Sequence, residues 1–199
     1  SLQNDGLVSA DVAGRALQLD TGTKTNNGVM QATGGGRLSV CTTFDQAPDG
    51  VLLAAGGTIQ LSYNSTLNGG ILRTVNGGRI QGVGDHFFNN VTNEGDFDIL
   101  AGAHAYCGGT TLVNNGTLAV NPEQSSTDAV LYAYTSNVRI DGNGQITLAT
   151  AGDVNDAQIQ GYYGYFVQGP NHTIRGEGST GAGHSAGPSL FRRPHHARH

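Results

Sequence analysis

Short apolar runs, each of about four residues and alternating with polar positions, recur along this chain at a nearly constant spacing. Leu17-Gln18-Leu19, Leu38-Ser39-Val40 and Ile59-Gln60-Leu61 are the clearest. Period two marks strands with one buried face, and runs this short are too brief for a helix. Glycine and asparagine flank the runs, supplying the positive-φ corners that β-branched residues do not adopt.

Two markers keep time. An Asn/Asp-Gly turn recurs at Asn4-Asp5-Gly6, Asn26-Asn27-Gly28, Pro48-Asp49-Gly50, Asn68-Gly69-Gly70, Asn93-Glu94-Gly95 and Asn114-Asn115-Gly116. The strands after these turns carry Val8, Met30, Leu52, Leu72, Phe97 and Leu118, with the widest gap between Leu72 and Phe97. The second marker, a glycine just ahead of an apolar strand, places Leu17, Leu38, Ile59 and Ile80 at equal intervals. Both markers give a unit of about 21 residues, which holds two or three strands plus corners and makes one coil of a parallel β-helix. Leucine-rich repeats share the period, but their leucine-asparagine ladder is missing.

The pattern therefore predicts an all-β fold, a single-stranded parallel β-helix (a β-solenoid) over residues 1–187. Equivalent residues would stack about 4.8 Å apart, with columns of Leu, Ile, Val and Met inside and rows of Thr, Gln, Ser and Arg outside. Roughly nine coils give a rod about 40 Å long. Cys41 and Cys107 would then sit about three coils apart, roughly 14 Å, which is beyond the roughly 7 Å a disulfide tolerates. No bond is expected.

The stretch Tyr106-Cys107-Gly108-Gly109-Thr110-Thr111-Leu112-Val113-Asn114-Asn115-Gly116-Thr117-Leu118-Ala119-Val120-Asn121 resembles the autotransporter-associated β-strand repeat. Gly57-Thr58-Ile59-Gln60-Leu61 through Asn93-Glu94-Gly95 is similar to the same class of exported adhesin-like proteins, including the filamentous-haemagglutinin type. Asn171-His172-Thr173-Ile174-Arg175-Gly176-Glu177-Gly178 is similar to a recurrent coil of that class. The resemblance spans residues 4 to about 183. It implies a right-handed parallel β-helix, bacterial, secreted or held at the cell surface in association with the outer membrane. It also implies a role as adhesin or stalk, with host-surface or matrix glycans or proteins as partners. The family offers no catalytic motif to carry over.

Composition agrees with a narrow core. Glycine accounts for 32 residues without recurring every third position, which excludes collagen. Charged residues reach only 13%, too few for a charge-extended disordered chain. The net charge of −5 and pI near 5.7 argue against nucleic acid. Lys24 is the only lysine, and three arginines, Arg192, Arg193 and Arg198, crowd the C-terminal end. No run of apolar residues is long enough to span a membrane.

The chain opens Ser-Leu-Gln-Asn without methionine or leader, which reads as a segment excised or processed from a longer exported chain. The absence of an obvious cap predicts end-to-end self-association. After Gly183 the rhythm stops, and residues 188–199 read as an irregular tail outside the solenoid.

The chemistry on offer is sparse, and no cofactor or metal is expected. Asp96 and Asp98 flank Phe97, so both carboxylates should face outward, about 6.7 Å apart, near the separation used by inverting glycosidases. Nothing in the neighbouring sequence supplies the burial that would raise one of their pKa values, and polygalacturonase motifs are missing. The rival function is thus a β-helix polysaccharide lyase or glycoside hydrolase acting on acidic polysaccharide. The favoured reading is a structural and adhesive rod, not an enzyme. Asp141-Gly142-Asn143-Gly144 lacks the ligand spacing of a calcium loop and reads as a turn. His195, His196 and His199 sit in the tail, whereas His86, His104 and His172 fall at coil edges without ligand spacing.

Tyr162-Tyr163-Gly164-Tyr165-Phe166 is the densest aromatic run. Alternation sends Tyr163 and Tyr165 to one face and Tyr162, Gly164 and Phe166 to the other. Exposed tyrosines beside a polar turn suit the apolar faces and hydroxyls of sugars. Tyr162, Tyr163 and Tyr165 are accordingly the candidate ligand-binding residues. The Asn-x-Thr/Ser matches at Asn64, Asn90, Asn115 and Asn171 follow from asparagine-rich turns and are not expected to carry glycans.

Overall fold

The computed structural model describes residues 1–135 and 137–182. Each complete coil contains three strands. The first comprises β1 (Leu2–Asn4), β2 (Leu7–Ala10) and β3 (Ala16–Leu19). The second holds β4 (Lys24–Asn26), β5 (Val29–Thr33) and β6 (Arg37–Val40), and the third β7 (Thr43–Gln46), β8 (Val51–Ala55) and β9 (Thr58–Leu61). The fourth holds β10 (Ser65–Asn68), β11 (Ile71–Val75) and β12 (Arg79–Gly82), and the fifth β13 (Asp85–Asn89), β14 (Thr92–Asn93) and β15 (Asp96–Ile99). The sixth holds β16 (His104–Gly108), β17 (Thr111–Asn114) and β18 (Thr117–Val120). The seventh holds β19 (Ala129–Ala133), β20 (Val138–Asp141) and β21 (Gln145–Leu148). The eighth holds β22 (Ala157–Gly161), β23 (Phe166–Gln168) and β24 (Thr173–Gly176), and β25 (Ser179–Ala182) begins a ninth.

Every third strand pairs in parallel, producing three sheets along the rod: a nine-stranded sheet A from β1 to β25, an eight-stranded sheet B from β2 to β23 and an eight-stranded sheet C from β3 to β24. The fold is an all-β solenoid of about nine turns, with coils of roughly 21 residues. No helix among the described residues is long and apolar enough to cross a membrane.

The second marker holds in register. Leu17, Leu38, Ile59 and Ile80 are consecutive partners in sheet C, and those after Leu17 are fully buried. The first marker does not stay on one sheet. Val8, Met30, Leu52 and Leu72 stack in sheet B, but the next residue in that column is Asn93. Phe97 and Leu118 instead extend the sheet C column above Ile80.

The cause lies in the asparagines. At the corner between sheets A and B, Asn4 Oδ1 accepts from the Gly6 amide at 3.2 Å, and Asn4 Nδ2 donates to Asn26 Oδ1 at 2.8 Å. The ladder continues from Asn26 Nδ2 to Gln46 Oε1 at 3.1 Å. At the corner between sheets B and C, Asn93 Oδ1 accepts from the Gly95 amide at 3.2 Å and Asn93 Nδ2 donates to Asn114 Oδ1 at 2.8 Å. The two corners use the same bonds, so the same dipeptide signal serves both. Glycine is required where these corners stack: a Cβ on Gly116 would lie 2.1 Å from the Gly95 carbonyl oxygen.

The repeat also changes length. In the sheet C column the step from Ile80 to Phe97 is the shortest, whereas the steps from Leu118 to Ile146 and from Ile146 to Ile174 are the longest. The extra residues lie in corners, chiefly 121–128 and 149–156 between sheets C and A. The strand ladders continue through them.

Cys41 is partly exposed beyond β6, Cys107 is buried in β16, and both are free thiols. Lys24 occupies an inward position beside Phe44 and is buried; its Nζ donates to the carbonyls of Asp20 and Thr21, both at 2.6 Å, and of Gly22 at 2.8 Å. Residues 183–199, including His195, His196 and His199, lie outside the described residues.

Candidate functional site

On the outer face of sheet A the middle positions of successive strands carry aromatic rings. Phe87, Tyr106 and Tyr132 are consecutive register partners. Phe87 stacks on Tyr106 with centroids 4.9 Å apart, and Tyr106 on Tyr132 at 5.1 Å. These separations are close to the spacing of parallel strands, so the backbone ladder itself sets the stack.

Corner residues close over it. Tyr134 is edge-on to Phe87 and Tyr106, and Tyr162 is edge-on to Tyr106 and Tyr132. Tyr163 lies perpendicular to Tyr162 at 4.7 Å and is 68% exposed. His104 completes the group, edge-on to Tyr106 and Tyr132, with Nδ1 3.0 Å from Asp85 Oδ1. Burial, followed by the charge of Asp85 and the neighbouring tyrosines, pushes the Tyr106 hydroxyl up to about 12. Tyr132 is raised by burial, Tyr162, Asp128 and Asp85. Both phenols therefore stay neutral at ordinary pH, able to donate and to accept hydrogen bonds.

Of the residues singled out from sequence, Tyr162 and Tyr163 join this cluster. Tyr165 is 45% exposed on the same corner, its amide donating to Asn137 Oδ1 at 3.3 Å, and no ring among the described residues stacks on it. The alternation expected across 162–166 is overturned. The segment is the corner between β22 and β23, so only Phe166 turns into the core, while Tyr162 faces outward. Phe87, Tyr106, Tyr132 and Tyr134 were missed, because the spacings between successive rungs of sheet A here vary with corner length. Their signal is legible in Asp85-His86-Phe87-Phe88, His104-Ala105-Tyr106-Cys107 and Val130-Leu131-Tyr132-Ala133. Each places an aromatic ring between two inward residues.

The carboxylate pair behaves differently from its sequence reading. Phe97 and Ile99 fill the core, so Asp96 and Asp98 lie on the outer side of sheet C, but only Asp96 is exposed. Asp98 is covered and accepts from Arg79 Nη1 at 3.1 Å. Its pKa is raised, first by burial, with Arg79 opposing and Asp96 and Glu123 adding to it. The burial comes from tertiary packing that the local sequence does not reveal.

Two histidines are also more enclosed than coil edges suggested. His86 points into the core between Phe88 and Phe97, with Nδ1 3.0 Å from the Gly84 carbonyl oxygen. A Cβ on Gly82 would come within 2.2 Å of the His86 ring, so glycine makes the room. Burial lowers the His86 pKa to about 4. His86 Nε2 and Ser65 Oγ, at paired positions of adjacent coils, have no hydrogen-bond partner among the described residues. His172 is buried at a B–C corner, where its Nε2 accepts from Asn114 Nδ2 at 2.9 Å; burial lowers its pKa. Asp141 accepts from Arg139 Nε at 2.7 Å beside the turn at Gly142. Among the described residues no group of three or more His, Cys, Asp or Glu side chains is arranged to hold a metal ion.

No protein-family model matches the sequence, and comparison with curated proteins and with solved structures returns no match. The resemblance to autotransporter passengers therefore rests on the motif residues alone. Its most specific stretch, Tyr106 to Asn121, forms the sixth coil.

Proposed function

We propose that this chain is a non-catalytic section of an exported bacterial adhesive rod, displayed at the cell surface or released, whose recognition surface is the outer face of sheet A. The observation that supports this is the aromatic cluster of Phe87, Tyr106, Tyr132, Tyr134, Tyr162 and Tyr163 on a continuous solenoid. A solenoid holds its rungs rigid through neighbours on both sides, so a row of side chains on one sheet is preorganised. Large, stiff, amphipathic rings give contact area at little entropic cost, and phenol hydroxyls add directional hydrogen bonds. Glycans or proteins of a host surface or matrix are the ligands this surface suits.

The rival reading, a lyase or hydrolase of acidic polysaccharide, draws on the raised pKa of Asp98 beside Asp96. Its weakness is geometry. Asp98 is already engaged by Arg79, and the pair lies on sheet C, whereas the aromatic surface lies on sheet A.

The test is an array of glycans and matrix proteins probed with wild type and with a Tyr132→Ala/Tyr162→Ala double variant. Retained binding in the folded variant moves recognition away from sheet A. Release of reducing ends or unsaturated products from acidic polysaccharide by wild type, abolished in Asp98→Asn, establishes the enzyme instead.

A further inference from the structure

Charge is partitioned between the sheets. The arginines among the described residues, Arg15, Arg37, Arg73, Arg79, Arg139 and Arg175, lie on sheets B and C or at the corner joining them. Sheet A contains none, and its single lysine, Lys24, is buried against three carbonyls. Carboxylates border the aromatic cluster instead. Asp85 opens β13 beside His104, and Asp128 sits on the corner that leads into β19. Asp85 opposes ionisation of both Tyr106 and Tyr132, and Asp128 opposes that of Tyr132.

Ring orientation narrows the ligand further. Phe87, Tyr106 and Tyr132 share their faces with one another, so the stack itself offers edges. The inclined rings come from the corners: Tyr134 and Tyr162 stand 45° apart, and Tyr163 stands 86° from Tyr162. Aromatic faces carry negative electrostatic potential and attract a cation within about 6 Å of the ring centre. They also pack against the C–H face of a saturated ring.

We propose that the aromatic face of sheet A binds glycans bearing free-amine hexosamine units, with one pyranose ring packed on Tyr162 and Tyr163, where the strands end, and the ammonium groups of other units drawn to the Asp85 and Asp128 side, where the strands begin. The inference rests on the adhesive reading above and adds the ligand class to it. An acidic polysaccharide is disfavoured here, because this face carries carboxylates and no exposed Lys or Arg among the described residues. An oligomer of free-amine hexosamines satisfies ring packing at one end of the strands and charge at the other. A basic peptide satisfies charge alone.

With seven tyrosines and no tryptophan, the intrinsic fluorescence comes from tyrosine, and five of the seven belong to this cluster. The whole chain is titrated with a glucosamine tetramer and with its fully N-acetylated counterpart, at a pH where the free amine is protonated. The expected result is a fluorescence change with the amine oligomer and about tenfold weaker binding after acetylation. A comparable loss is expected in Asp128→Asn and in Tyr132→Ala, while Tyr132→Phe, which keeps the ring, stays within about threefold of wild type. Equal binding of the acetylated oligomer overturns the cationic ligand and leaves an aromatic, adhesive face. Equal binding of oligolysine overturns the sugar. If neither oligomer binds while the array signal still depends on Tyr132 and Tyr162, the ligand class is wrong and the adhesive reading stands.

Discussion

The first four coils and the last three are built on the same three sheets, yet they treat sequence differently. From β1 to β12 register partners follow one another at nearly constant sequence spacing, and the corners between sheets C and A are as short as residues 41–42 and 62–64. From β18 onward the steps in sheet C lengthen, from Leu118 to Ile146 and on to Ile174, and the corners at 121–128 and 149–156 hold most of the difference. The strand ladders continue unbroken in both regions. A solenoid thus separates two requirements: strands must stack rung on rung, whereas corners can grow, because closing a longer surface loop adds little entropy cost.

Sheet A has two inward columns, and they change in opposite directions along the rod. One runs Phe44, Leu67, Phe88, Cys107, Ala133 and Gly161, falling in size from Phe88 onward. Its inward neighbour, running Ser65, His86, Ala105, Leu131 and Ile159, grows again over the coils where the outer face becomes aromatic. The ring contacts among the described residues begin at His86, beyond the regular region, and Tyr132, Tyr134, Tyr162 and Tyr163 belong to the expanded one.

The largest effect should come at the boundary. Phe97 stacks between Ile80 and Leu118 and packs on Phe88 and His86. Phe97→Ala is expected to cost about 3–5 kcal/mol. Because solenoid coils couple only to their neighbours, guanidinium unfolding followed by circular dichroism should separate into two transitions. A single transition at the wild-type midpoint would show that the two regions are not joined here.

Acid should act at the same boundary. The folded-state pKa of His86 is depressed from 6.5 to about 4 by burial. Its neutral form is therefore favoured in the fold, and stability is fully present above pH 6.5. Stability falls as pH drops through that window and levels out below about 4, a total of about 3 kcal/mol. His86→Leu should remove most of this slope, with the lowered pKa of buried His172 leaving a residue of the same sign. An unchanged pH profile in the variant would place the titrating group elsewhere.

Within the regular region, Lys24→Met should cost about 2 kcal/mol by stripping the carbonyls of Asp20, Thr21 and Gly22 of their charged donor. In wild type the same three bonds should make this lysine slow to react with amine-directed reagents. Rapid labelling of the folded chain would contradict the burial.

The smallest effect tests the corners themselves. Two glycines inserted after Val154, half-exposed on the long 149–156 corner, should cost no more than about 0.5 kcal/mol. The same insertion after Thr42, in the short corner at 41–42, should cost distinctly more. Equal costs in thermal melts would remove the distinction drawn between the two regions.

Much of this architecture was legible in the chain. The sheet C column of Leu17, Leu38, Ile59 and Ile80 follows from period-two alternation and constant spacing, because only an inward apolar residue on every rung closes the core. The free state of Cys41 and Cys107 followed from the same stacking. The candidate surface was only half visible: Tyr162 and Tyr163 stood out as a run, whereas Phe87, Tyr106 and Tyr132 lie at unequal intervals and declare themselves only once rungs are aligned.

Tertiary structure decided what local chemistry leaves degenerate. An Asn-x-Gly corner forms the same hydrogen bonds between sheets A and B at Asn4 as between sheets B and C at Asn93, so no local signal says which corner a given asparagine turns. Outward position did not fix exposure either. Asp96 and Asp98 share one side of β15, yet only Asp98 is covered and paired, with Arg79 of the preceding coil. Sequence alone determined that the chain coils and which apolar residues of the regular sheet C column face inward, because alternation is a property of each strand. Which outer residues meet, and how deeply each is covered, depended on how coils of unequal length come into register.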